Sequence, residues 1–118
     1  MGSEPVCWVP RKLNKHADRV CNLVMDTKAD FRYRDARVQQ IISGKFNIKI
    51  GTDGGSRGES CSSTGWGIFA VQVGNGGVEG KHVCMLKGGT YFAYGHDSFG
   101  IEAKALLEAM TALNDLLA

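Results

Sequence analysis

From Phe46 to Ile50 the residues alternate apolar and polar, Phe46-Asn47-Ile48-Lys49-Ile50, the period of a strand with one face buried. The alternation predicts a strand over 46–53. Asp53 at its end has the parity opposite to Phe46, Ile48 and Ile50, so its carboxylate points away from the apolar face. Gly65 to Val73 (GWGIFAVQV) reads as a second strand. Gly74-Asn75-Gly76-Gly77 reads as a hairpin turn, because Asn and Gly accept the positive φ such turns need. A third strand fits residues 81–91, with His82 an ordinary strand residue rather than a ligand. Asp97 or Ser98 then caps a helix that runs to the C-terminus. Leu106, Ala109, Leu113 and Leu116 share one stripe of that helix, with Lys104, Glu108, Thr111 and Asp115 on the solvated side.

The N-terminal third is less regular. Pro5-Val6-Cys7-Trp8-Val9-Pro10 predicts a short strand stopped by proline. Asn14 suits the N-cap of a helix over roughly 15–25, with Ala17, Val20, Cys21 and Val24 on its inner face. Phe31, Val38, Ile41 and Ile42 predict a short amphipathic helix closed by Ser43-Gly44. Arg32, Arg34 and Arg37, interleaved with Tyr33, fit the solvated face of that helix better than a phosphate-facing patch.

Composition narrows the class. The 118 residues suffice for one small core. A net charge of +2, from 14 Lys+Arg against 12 Asp+Glu, gives no overall basic character, so any case for nucleic acid must be local. Cys7, Cys21, Cys61 and Cys84 are widely spread, without a C-x-x-C pair or His at ligand spacing. That usage suits a reduced intracellular chain, cytoplasmic or nuclear, better than a disulfide framework or zinc site. The start, MGSEPV, lacks the apolar core of a signal peptide, and no apolar run reaches membrane-spanning length.

The candidate chemistry lies in two places. Continued back four residues, the apolar stripe of the last helix reaches Glu102, a carboxylate expected on a buried face near the first turn. A buried carboxylate needs a cation, a shifted pKa or the edge of the core; a contact with the helix dipole is the plainer alternative. Asp53 is a second carboxylate, at a strand end, which a solvated turn would also explain. Together they could share magnesium or manganese in an oxygen-rich site. The glycines in KIGTDGGSRG, Gly54 and Gly55, would let a phosphate backbone approach, with Ser56 and Arg57 able to touch it. There is no G-K-[ST], and a strand rather than a helix follows these glycines, so neither a Walker loop nor a dinucleotide fingerprint fits.

IGTDGGSRG, then STGWGIF, a hairpin and GIEAKALLEAMTAL resemble the first half of a type 1 ribonuclease H domain. CWVPRKLNKHADRVCNLVMD, at the N-terminus, resembles the last strand and final helix of the same family. The resemblance implies metal-binding catalytic roles for Asp53 and Glu102, and for Asp18 in an N-x-x-A-D pattern whose Asn is Asn14. It implies hydrolysis of the RNA strand of an RNA–DNA hybrid with magnesium or manganese, and sensing of RNA 2′-hydroxyls by the backbone around Gly54 and Gly55. The expected fold is α/β, a ribonuclease-H-like mixed sheet with antiparallel first three strands and packed helices.

The order of the pieces is inverted: the family's end (1–26) precedes its beginning (45–118), with a linker or short helix over 27–44. The fourth strand and its catalytic Asp have no counterpart, and Val9-Pro10-Arg11-Lys12 stands where many relatives carry a His-bearing loop. A fragment cut across tandem domains, an incomplete permutant and a degenerate relative all fit this order. The strand at 5–9 is then expected beside the 46–53 strand, or paired to a second copy in a homodimer through the sheet edge. A non-catalytic binding module and a fragment that only mediates association are the rival functions.

Overall fold

The computed structural model describes residues 11–117. It is an α/β fold: three helices against one sheet that is antiparallel throughout the described strands. Helix α1 spans Arg11–Thr27, β1 Phe31–Arg34, α2 Val38–Ile42, β2 Phe46–Arg57, β3 Cys61–Val73, β4 Glu79–Gly89, β5 Tyr91–Phe92 and α3 Ser98–Leu117. The sheet order is β1-β4-β3-β2, and β5 pairs with the start of β3. The predicted strand at 5–9 lies outside the described residues.

β3 is the central strand, buried from Cys61 to Val71. Its even-numbered side chains meet α2 and α3: Trp66, Ile68 and Ala70 pack with Val38, Met85, Ala109 and Leu116, and Ile48 and Ile50 of β2 lie against this core. Its odd-numbered positions face α1, where Cys21 and Met25 pack with Cys61. Two helices thus cover opposite faces of the sheet.

Both come unusually close, and glycine is the reason. A Cβ on Gly65 would collide with the Ala17 carbonyl oxygen and stand 2.6 Å from the Cys21 nitrogen, so α1 rests on bare β3 backbone. On the other face, a Cβ on Gly54 would stand 2.8 Å from the Ile101 carbonyl carbon, which seats α3 on β2. Gly55 faces back to α1, within 3.2 Å of Cys21 Sγ. The missing side chains after Asp53 therefore have a packing cause.

Several predicted elements change extent or type. The chain does not turn at Gly54: β2 pairs with β3 continuously from Phe46↔Gln72 to Arg57↔Cys61, and the reversal comes at Gly58, whose φ is 61°. β3 begins four residues before the expected Gly65, and Ser62, Ser63 and Thr64 are buried strand hydroxyls. Phe31 is not helical. Residues 31–34 form a strand paired to Leu86–Gly89, and only Val38–Ile42 is helix. The pairing gives the Phe31–Arg34 backbone sheet partners that a short isolated helix could not supply. The α1 stripe of Ala17, Val20, Cys21 and Val24 is buried as predicted, but the helix starts earlier, so Asn14 lies inside it, not at its cap. Asp97 caps α3, its Oδ1 accepting from the Gly100 N–H at 2.7 Å.

Candidate carboxylate site

Asp53 is paired with Gly65, the residue against which α1 is seated, so its carboxyl lies on the α1 face. Asp18 rises from α1 on the same face, and the two carboxyls are within hydrogen-bonding reach. This juxtaposition joins residues 35 positions apart, and the glycine seat fixes it: Ala17, next to Asp18, is the residue pressed on Gly65. Partial burial, foremost, and the neighbouring Asp18 raise Asp53 to about 6, while a hydrogen bond from the Gly54 backbone opposes the shift. Glu102 adds a smaller repulsion from α3, across the strand. Two carboxyls so placed favour sharing a proton or a cation.

Glu102 corrects an expectation. It does not continue the buried stripe; it is exposed, and so is Leu106. The inner face of α3 is Ile101, Ala105, Ala109 and Leu116, with Ala112 and Leu113 packed at its edge, so Ala109, Leu113 and Leu116 of the expected stripe turn inward and Ala105 takes the place of Leu106. Ala105 and Ala109 lie inward between Ile101 and Leu116, which are buried as well. The charge truly drawn into the fold is Glu108, which was assigned to solvent. Its Oε1 accepts hydrogen bonds from Thr64 Oγ1 at 2.7 Å and Thr90 Oγ1 at 3.1 Å, and the Thr90 N–H donates to Thr64 Oγ1 at 2.8 Å. The sequence signal for this is that Glu108 stands three residues after Ala105 and four before Ala112, once the alanine stripe is taken as the inner one.

The remaining site residues are held by the chain itself. Ser56 Oγ donates to the His96 carbonyl at 2.6 Å and accepts from the His96 N–H. Arg57 pairs with Asp26 of α1 at 2.8 Å. Asn14 is exposed on α1, one turn before Asp18. Among the described residues, no group of three His, Cys, Asp or Glu side chains is gathered closely enough to enclose one metal ion. The donor set of Asp53 and Asp18 nonetheless fits a hard divalent cation, being two oxygen ligands whose mutual repulsion a cation relieves.

Arg32 and Arg34 line one shallow pocket beside Tyr33, and Arg37 is engaged apart from them. Arg37 is clamped to Asp35, Nε to Oδ1 at 3.0 Å, and this guanidinium holds the Asp35 carboxyl down at about 2. Arg32 lies over the Trp66 ring at 5.5 Å. The three described cysteines, Cys21, Cys61 and Cys84, are free thiols. No helix among the described residues is long and apolar enough to cross a membrane. No family model, curated protein or solved structure matches the chain.

Proposed function

We propose that the chain is a ribonuclease-H-like domain that engages the RNA strand of RNA–DNA hybrids through a divalent cation held by Asp53 and Asp18. The observation that carries this reading is the pair itself: two carboxyls from a strand end and a helix, brought together on one face, where partial burial foremost and the neighbouring Asp18 next raise Asp53 to about 6. A bound magnesium or manganese ion supplies charge neutralisation and Lewis acidity at a phosphodiester. Asp53 and Asp18 hold the ion, and Glu102 contributes negative charge from α3. Among the described strands β2 is an edge of the sheet, and its half-buried backbone at Gly54 and Gly55 is the element suited to hydrogen-bond 2′-hydroxyls. Arg57, anchored by Asp26, keeps a cationic group beside this edge.

A second reading, a hybrid-binding module with little hydrolysis, is favoured by one specific observation: a third carboxylate is not gathered around the pair. Clustered cations need several anionic ligands to fix their spacing, and the loss of each tenfold in rate takes only about 1.4 kcal/mol of barrier. The expected outcome is therefore measurable hybrid binding with very weak cleavage. Calorimetric titration with manganese and a gel assay on an end-labelled hybrid, each with Asp53→Asn beside the parent chain, test both halves. Equal manganese affinity in the two proteins removes the cation site. Robust magnesium-dependent cleavage, abolished by Asp53→Asn, removes the binding-module reading.

A further inference from the structure

Helix α1 carries a different chemistry on its other flank. At about 100° per residue, His16 and Asp18 fall on opposite sides of the buried Ala17–Val20–Cys21–Val24 stripe. On the His16 side, a groove of about 670 Å³ opens between α1 and β4. Lys15, His16 and Arg19 form one wall, Lys81 and His82 the other, and Phe69 lies at the base. Among the described residues, no acidic side chain lines it. The nearest acid at the end of β4, Glu79, is engaged by Lys49 at 3.0 Å. The Nε2 of His82 is buried without a hydrogen-bond partner, which leaves a polar atom with unspent bonding capacity beside the groove.

We propose that this groove is a binding site for the phosphodiester backbone of a nucleic-acid strand. Three permanent cations and two imidazoles face one channel from two walls, and every one of these groups can donate hydrogen bonds to phosphate oxygens. Lys15 and Arg19 are one helical turn apart, about 6 Å along the axis, a repeat of the same order as one nucleotide step of an extended strand. The groove is partly open to solvent, which suits a chain better than an enclosed small anion. Its concavity disfavours a flat bilayer. The site shares only its ligand class with the proposed function, since it lies across α1 from the carboxylates and needs no metal.

The test is fluorescence anisotropy with a labelled single-stranded 12-mer, in EDTA so that divalent ions play no part. Binding by the full chain is expected to weaken with salt at a log–log slope of roughly −2, the value for three phosphate contacts on a single strand. Arg19→Glu and Lys81→Glu, on opposite walls, should each lower affinity about tenfold, a change of about 1.4 kcal/mol. Lys28→Glu, an equal change of charge beyond the groove at the end of α1, should lower it far less. Circular dichroism melts check that the variants remain folded, and Lys81→Gln gives a milder second change should the reversal unfold the chain. Equal effects of all three reversals would show a merely non-specific field and overturn the proposal. So would competition by pyrophosphate or polyglutamate as effective, per charge, as that by unlabelled oligonucleotide. Loss of groove binding would leave the manganese result at Asp53 standing, and the reverse, so the two readings fail separately.

Discussion

Helices α1 and α3 are seated alike and finished differently. Each presses on a glycine of the sheet, α1 with Ala17 on Gly65 and α3 with Ile101 on Gly54. Outward, α1 shows Lys15, His16, Arg19, Asn22 and Asp26, a face at ease in water. Outward, α3 shows Phe99 at 78% exposure and Leu107 at 67%, with Leu106 and Met110 about half exposed. The difference teaches that the inner face of a helix need not be its most hydrophobic one. In α3, Ala105 and Ala109 are buried while Leu106 and Leu107 lie at the surface.

The comparison breaks most sharply at the seats. Gly65→Ala should cost at least about 3 kcal/mol in urea unfolding, because its Cβ meets backbone rather than a movable side chain. Gly54→Ala should cost about 2–3 kcal/mol on the same grounds. A cost below 1 kcal/mol at either position would show that its helix is free to shift, and that the close seating described is not required.

The interior of α3 comes next. Glu108→Ala strands the Thr64 and Thr90 hydroxyls and should cost about 1–3 kcal/mol, whereas Glu108→Gln keeps an acceptor and should cost clearly less. Equal losses would mean that packing, and not the hydrogen bonds, is at stake.

The carboxylate pair on the α1 face sets a pH dependence of definite sign. Asp53 is raised in the folded state, so the proton is bound more tightly there than in the unfolded chain. Its stabilising contribution is full below about pH 4 and is lost as pH rises through about 6. Asp53→Asn should therefore raise the melting temperature at pH 7.5 and change it little at pH 4. The gain is on the order of 1 kcal/mol once the screening of a half-exposed pair is allowed for. A lower melting temperature at pH 7.5 would contradict the repulsion between Asp53 and Asp18. Smallest of all, Leu107→Lys on the outer face of α3 should change stability by less than about 0.5 kcal/mol. A larger loss would mean that this face is covered.

What the residues disclosed follows the same division. The parity of β2, the inner stripe of α1, the Gly74–Gly77 hairpin and the Asp97 cap could be read in advance, because each is a local rule acting on a few neighbours. The carboxylate of Asp53 was assigned to the correct face by parity alone. The burial of Ala105 in place of Leu106 could not be read, because hydropathy favours Leu106 while the contact that seats the helix, Ile101 on Gly54, is 47 residues away in sequence. Ser62, Ser63 and Thr64 look like turn residues until their partners are known. Ser62 donates to the Tyr94 carbonyl at 2.7 Å, Ser63 to the Cys21 carbonyl at 2.7 Å, and Thr64 to Glu108. The convergence of Asp18 on Asp53 was suggested only by the family resemblance, since no local pattern joins two such distant residues.

The seat of α1 on Gly65 acts on the carboxylates as a clamp acts on two like magnets. A helix resting on longer side chains could slide or tilt and let its charge drift away from a rival. Here the Ala17 carbonyl and Cys21 nitrogen bear directly on strand backbone, so the helix has no travel to give. The stand-off between Asp18 and Asp53 is thus set by contacts that neither carboxyl makes. Repulsion held at fixed distance is relieved by a change of occupant, a proton in acid or a cation near neutrality, and not by motion. A clamp of this kind holds its charges ready before anything binds.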